Sequence, residues 1–238
     1  LLLCSLNTRD VRARFLALAG GADAKVVVVL NRIPPGVDPA AAGASAARAW
    51  GVRQVTAWHA DDRKTAEAEP FLATLRTATG VWFTGGRPAL YADPYVGSAA
   101  HREFRAVLDR GGVIGGESAG AIIQSTHFVL PPEPQPTPVP VEGFGFVRNV
   151  TVFPHLAGDK GKFPLQFCRK TISANPGLLG LGIEDGAAVV LRGRDAEVIG
   201  KGQVTVIAPA ARGEASVTTY QAGERFKLSS ESGTAPGK

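Results

Sequence analysis

Residues Gly111 to Ser125, GGVIGGESAGAIIQS, join a short apolar run to a glycine pair, a serine between small residues, and a second apolar run. That order reads as a strand, a sharp turn and a helix, with Ser118 at the turn. Gly116 and Gly120 remove the side chains that would crowd such a turn, so the hydroxyl can stand clear of the backbone. Ala119, Ala121, Ile122 and Ile123 begin the helix, whose first N–H groups favour negative charge beside the serine. Acyl transfer requires a nucleophile set in this way. The same letters also suit a plain glycine-rich connection, so the chemistry depends on what accompanies Ser118.

The chain upstream supplies a scaffold for that turn. Thr8 caps a helix carrying Val11, Phe15, Leu18 and Ala19 on one face, with Gly20 and Gly21 as its stop. Lys25 to Leu30, KVVVVL, is a strand buried on both faces. A helix over Asp38 to Trp50, a strand over Arg53 to Trp58, a helix over Arg63 to Thr77 interrupted near Pro70, and a strand over Val81 to Thr84 follow. Ser98 to Arg110 is a helix leading into the strand before Ser118. Such alternation predicts an α/β chain with a parallel sheet covered by helices on both sides. In open sheets of this kind ligands bind beyond the carboxyl ends of the strands, where Gly85-Gly86 and Ser118 both emerge. Downstream, Pro131 to Pro140, PPEPQPTPVP, predicts a stiff extended loop. Phe146 to Phe153 then reads as a strand and Phe163 to Ser173 as a helix. Four short strand runs, Ala187 to Leu191, Glu197 to Ile199, Val204 to Ile207 and Ser216 to Tyr220, predict hairpins at a sheet edge.

A chain of 238 residues, 45% hydrophobic, can bury one core of α/β size, and a single domain over residues 1–228 is expected, with 229–238 as a mobile tail. The net charge of +5 comes from scattered Lys and Arg without a basic block, which argues against a nucleic-acid or membrane partner. Cys4 and Cys168 make neither a disulfide framework nor a metal-ligand pair. LLLCSL is too short for an intact signal peptide. Residence in the cytoplasm is one expectation; removal of a leader from a chain that contains no methionine is the other.

A nucleophilic serine needs a base, and there are four histidines. His155 ends the apolar run Val150 to Pro154 and can leave a strand end beside the same crevice. His101 reads as a solvated helix residue, His59 as a loop residue, and His127 lies close along the chain to the turn itself. An acid must hold the histidine tautomer. Glu133, between Ser118 and His155 in sequence, is the candidate, and Glu142 competes with it. For the oxyanion the N–H groups of Ala119 and Gly86 are the expected donors, because glycine lets backbone approach a ligand. Arg87, next along, suits a substrate carboxylate, and Glu117 suits contact with substrate. The α/β-hydrolases also run Ser, acid, His, but their histidine follows much farther on.

At RFLALAGG (Arg14 to Gly21), FTGG (Phe83 to Gly86), GGVIGGESAGA (Gly111 to Ala121), GFGFVRNVTVFPH (Gly143 to His155), LGIEDGAAVVL (Leu181 to Leu191) and EVIGKGQVTV (Glu197 to Val206), the sequence resembles the serine exopeptidases that include cyanophycinase and aspartyl dipeptidase. The resemblance implies a three-layer α/β/α sandwich similar to class I glutamine amidotransferase domains, with serine in place of their cysteine. It implies Ser118 as nucleophile, His155 as base and Glu133 as acid, acting on a small peptide or aspartyl isopeptide without a cofactor; a homodimer is compatible with it. Two stretches depart from the family. LLLCSL replaces its glycine-rich first strand, and LAGDKGKFP, with Lys160 and Lys162, stands where cyanophycinases carry the arginines that hold their substrate. Lys160 is then the substrate contact, and cyanophycin itself is not the expected substrate. A non-catalytic peptide or small-molecule binding protein on the same fold is the alternative.

Overall fold

The computed structural model describes residues 1–34, 36–130, 141–156, 163–210 and 213–229. The chain clusters into two units, one of Leu1–Leu2 with Asn7–Ile123 and the other of Leu3–Leu6 with Gln124–Lys238. LLLCSL is not a loose end: Leu2–Cys4 is a strand, β1, buried throughout, and Ser5 after it is buried too.

In the first unit α1 (Arg9–Leu18) is capped by the Thr8 hydroxyl, which accepts from Val11 N–H at 3.3 Å. β2 (Lys25–Val29), α2 (Pro39–Trp50), β3 (Gln54–Trp58), α3 (Arg63–Ala66), α4 (Glu69–Thr77) and β4 (Gly80–Phe83) follow, then α5 (Ala89–Tyr95), α6 (Ala99–Asp109), β5 (Val113–Glu117) and α7 (Ala119–Ile122). The strands pair in parallel in the order β5-β4-β2-β3. The single helix expected over Arg63 to Thr77 is two. Its break falls at Glu67 and Ala68, and Pro70 sits in the first turn of α4, where a missing N–H costs no helical bond.

Adjacent residues of β4 face opposite sides of the sheet and show its layers. Trp82 packs edge-on against Phe15 of α1 and Trp50 of α2, with ring centroids 5.1 and 5.2 Å away. Phe83 packs against Tyr91 of α5 and Phe104 of α6 at 5.3 and 5.0 Å. Helices therefore cover both faces of the parallel sheet, the α/β/α sandwich that the alternation predicts. These aromatic side chains are fully or almost fully buried, and each contributes about 2–3 kcal/mol of apolar transfer energy.

The second unit carries β6 (His127–Phe128), β7 (Val141–Glu142), β8 (Val150–Pro154), α8 (Leu165–Ala174), β9 (Leu179–Ile183), β10 (Ala187–Arg192), β11 (Asp195–Gly200), β12 (Gln203–Ala208), β13 (Ser216–Gln221) and β14 (Arg225–Lys227). β8 and β9 are parallel, connected through α8, and β9, β12 and β13 continue antiparallel. β10 pairs antiparallel with β11, and β14, which follows β13 in the chain, pairs antiparallel with the other edge of β11. The strand expected over Phe146 to Phe153 begins only at Val150, because Asn149 takes a left-handed conformation (φ 58°) that breaks extended backbone. The proline-rich stretch Pro131 to Pro140 and all but Ser229 of the expected tail lie outside the described residues.

Candidate active site

Ser118 follows β5 directly and has φ 50° and ψ −115°, a strained conformation for a residue with a side chain. Its carbonyl accepts from the N–H groups of Ala121 and Ile122, both at 3.0 Å, so the chain turns at once into α7. The helix expected there is a single turn. Its macrodipole is correspondingly small, and the local N–H groups, that of Ala119 first, are what the turn offers to an anion. Gly120 permits this packing: a Cβ there would lie 2.1 Å from the Phe83 carbonyl oxygen. The register Phe83↔Gly116 sets the ends of β4 and β5 level, and a Cβ on Gly85 would sit 3.6 Å from that of Ser118. The two glycine-bearing strand ends thus meet, as their position in an open sheet predicts.

The loop beside Ser118 is held by Asn31, a residue sequence reasoning passes over. Asn31 is buried at the end of β2. Its Oδ1 accepts from Arg87 N–H at 2.8 Å, its Nδ2 donates to Arg87 O at 3.0 Å, and its own N–H donates to Thr84 Oγ1 at 2.9 Å. Gly86 lies directly over this side chain with φ 149°; a Cβ there would be 1.9 Å from Asn31 Oδ1. The Arg87 N–H is therefore occupied, whereas Gly86 and the Arg87 side chain are exposed. The phenol of Tyr91, fully buried, lies 3.0 Å from Val29 O and 2.9 Å from Thr84 O, tying the ends of β2 and β4 together. Burial pushes its pKa upward, so it remains a neutral donor. The signal for Asn31 is a polar residue at the end of an unbroken apolar strand, where burial demands partners.

In the second unit the register Pro154↔Ile183 brings the residues after β8 and after β9 to one level. His155 leaves β8 with φ 58°. Its Nδ1 donates to Asp185 Oδ1 at 2.6 Å, which leaves Nε2 as the nitrogen able to take a proton. Glu184, one residue earlier, accepts from Gln203 N–H at 3.1 Å, so Asp185 is the carboxylate that faces the ring. The His155 side chain is 21% exposed and that of Asp185 60%, so the pair orients the ring more than it stabilises the fold. Asp185 escapes sequence reasoning because it lies 30 residues beyond His155 and reaches the ring only through the pairing of β8 with β9. The matched stretch LGIEDGAAVVL contains it.

Glu133 and Lys160 lie outside the described residues. Glu142 is exposed in β7, paired in register with His127 of β6. Glu117 Oε2 accepts from Asn7 N–H at 3.0 Å, so one oxygen of that carboxylate is already engaged. His59 donates through Nδ1 to Leu30 O and lies 3.0 Å from Asp61 through Nε2; His101 Nδ1 accepts from Gly97 N–H. Among the described residues no group of three His, Cys, Asp or Glu is arranged to hold a metal ion, and no helix is long and apolar enough to cross a membrane.

The family described as peptidase family S51 matches residues 41–199, more than half of the chain. The cyanophycinase of Synechococcus elongatus is 29% identical over 226 residues, covering 89% of this chain and 66% of its own length. That of Trichormus variabilis is 26% identical over 215 residues, covering 86% and 70%. The chain thus spans about two thirds of the curated relatives it matches. A crystal structure of a peptidase from an acI-B1 Actinobacterium superposes with a TM-score of 0.73 at 20% identity, covering 95% of this chain and 96% of that one, and shares the fold.

Proposed function

The chain belongs to peptidase family S51, and we propose that it is a serine peptidase hydrolysing small peptides, aspartyl isopeptides among them. The observation that carries the reading is Ser118, held at φ 50° between a parallel strand and a helical turn with Gly85 beside it. A side chain strained in that way at a strand's carboxyl end is what a nucleophile elbow requires.

In this mechanism Ser118 Oγ attacks the peptide carbonyl carbon while His155 Nε2 takes its proton. The oxyanion accepts from the N–H groups of Gly86 and Ala119. His155 returns the proton to the leaving amine as the C–N bond breaks, and water, deprotonated by the same histidine, then hydrolyses the ester on Ser118. The acid at Nδ1 keeps the imidazole in the tautomer that can accept from serine and stabilises the imidazolium. Asp185 fills that role by contact, and Glu133 is its rival by sequence position. Arg87 and Lys160 suit the carboxylates of a short acidic substrate, and Glu117 a polar group next to the scissile bond. The cyanophycinase relatives point to aspartyl isopeptides as the first substrates to try.

The test is a digest of a dipeptide and isopeptide library, including Asp-X and β-Asp-Arg, read by mass spectrometry for the wild type and Ser118→Ala. Cleavage by the wild type alone is expected, together with labelling of Ser118 by a fluorophosphonate. Hydrolysis retained in Ser118→Ala sinks the assignment. Silence in the digest and no labelling favour a binding protein on this fold.

A further inference from the structure

Ser5 is fully buried, lies 150 residues from His155 in sequence, and its hydroxyl is used in both directions. It donates to Ile183 O at 2.7 Å and accepts from His155 N–H at 2.8 Å. One hydroxyl therefore joins the residue that carries the imidazole to the strand end that carries Asp185.

The two bonds differ in what depends on them. Ile183 O also accepts from Leu156 N–H at 3.0 Å, so it keeps a partner when the hydroxyl is removed. His155 N–H is partnered by Ser5 Oγ and belongs to a residue at φ 58°, a conformation a side chain adopts only when its surroundings impose it. The bond from the histidine backbone thus lies at the turn that aims the ring.

We infer that Ser5 is a positioning residue for the proposed base: its hydroxyl holds the His155 turn against the end of β9 so that Nδ1 meets Asp185 and the imidazole stays in the Nδ1–H tautomer. This rests on the peptidase reading for its catalytic meaning, but the tautomer can be observed without any substrate. It also gives a use to LLLCSL, the stretch that departs from the family pattern.

With four histidines in the chain, imidazole 15N shifts correlated to the ring C–H protons are resolvable by residue. At a pH where His155 is neutral, the wild type is expected in the Nδ1–H form, with Asp185→Asn assigning the resonance by its change. Ser5→Ala is expected to move the population toward the Nε2–H form that an unconstrained histidine side chain prefers. It should also lower kcat about tenfold on a cleaved substrate with little change in KM. Ser5→Cys, close to serine in shape but a poor hydrogen-bonding partner, makes the same test if Ser5→Ala does not fold. A wild-type-like tautomer in the folded variant overturns the inference, as does a wild type already in the Nε2–H form; a lowered melting temperature alone would mark a merely structural serine. Hydrolysis persisting in Ser118→Ala would instead remove the peptidase reading and leave the tautomer result standing.

Discussion

Asn31 and the backbone of Arg87 form a closed pair of hydrogen bonds, Oδ1 accepting from N–H at 2.8 Å and Nδ2 donating to O at 3.0 Å. A primary amide carries a donor and an acceptor side by side, and asparagine's is short enough to reach both backbone groups of one residue from the end of β2. The pair fixes the orientation of the peptide that follows Gly86, and with it the direction of the neighbouring amides. Asn31→Ala leaves both Arg87 groups without this partner, at a cost of about 1–3 kcal/mol, and lets the loop reorient. The expected result is a folded protein that reacts with a fluorophosphonate at least about tenfold more slowly. Asn31→Asp keeps the acceptor but sets a carboxylate oxygen against Arg87 O, and should be no better than alanine.

Gly86→Ala tests the same loop from the other side. Its Cβ would fall 1.9 Å from Asn31 Oδ1, and φ 149° is a region that residues with a side chain avoid. The loop must move, and if the Gly86 N–H is an oxyanion donor the loss should approach that of one donor, about 10²–10³ in kcat. Steady-state kinetics with a circular dichroism check of the fold decide it. Near wild-type turnover would exclude Gly86 from the oxyanion site.

Gly120→Ala acts on the packing of α7 over β4. The obstruction is the Phe83 carbonyl oxygen, 2.1 Å from the new Cβ, and strand backbone in the middle of a parallel sheet yields little. Overpacking of this kind costs about 1–3 kcal/mol or more. A lower urea midpoint is expected, with labelling of Ser118 reduced in whatever fraction remains folded.

The elements that place Ser118 are legible in the sequence because each is local. KVVVVL reads as a buried strand, the small residues around Ser118 as the sharp step from β5 into α7, and the alternation of strand and helix as a parallel sheet. The partners of these residues are not legible in the same way. Asn31 owes its role to a residue 56 positions away, and Ser5 to one 150 positions away. Asp185 depends on the register of β8 with β9, and β9 is the run LGLGI, whose glycines hide it from propensity reasoning. α5, which holds Pro94 in its last turn, is not legible as a helix.

Stability should fall in alkali for a reason visible in α8. Burial pushes the Cys168 thiol from its ordinary 9.0 up to about 12. Between those values the unfolded chain has lost the proton and the native chain has kept it, so the native state binds more protons and stability falls as pH rises. One such group contributes a slope of at most about 1.4 kcal/mol per pH unit. The buried Tyr91 phenol, also raised, adds a slope of the same sign at higher pH. Urea midpoints taken from neutral pH into this window should decline, and Cys168→Ala should decline less steeply. An identical slope in the variant would show that Cys168 does not titrate in the unfolding reaction.

Asp185 and Glu133 are rivals for the third catalytic position, and two substitutions separate them. Asp185 has contact in its favour, 2.6 Å to Nδ1 of His155, and an extended reason for being there, since the parallel register levels the two strand ends while Glu184 is turned to Gln203. Against it stands its 60% exposure, which lets water compete for the imidazolium. Asp185→Asn replaces an acceptor with a group that can donate to Nδ1, so the ring can take the wrong tautomer, and a loss on the order of 10³–10⁴ in kcat is expected if it is the acid. Glu133→Gln should then cost little. KM should hold in either case, because neither side chain is asked to bind substrate. The reverse pattern would assign the role to Glu133 and reduce the Asp185 contact to a surface hydrogen bond. Comparable partial losses from both, with a double variant no worse than the larger single one, would mean that the two carboxylates act on one histidine as a unit.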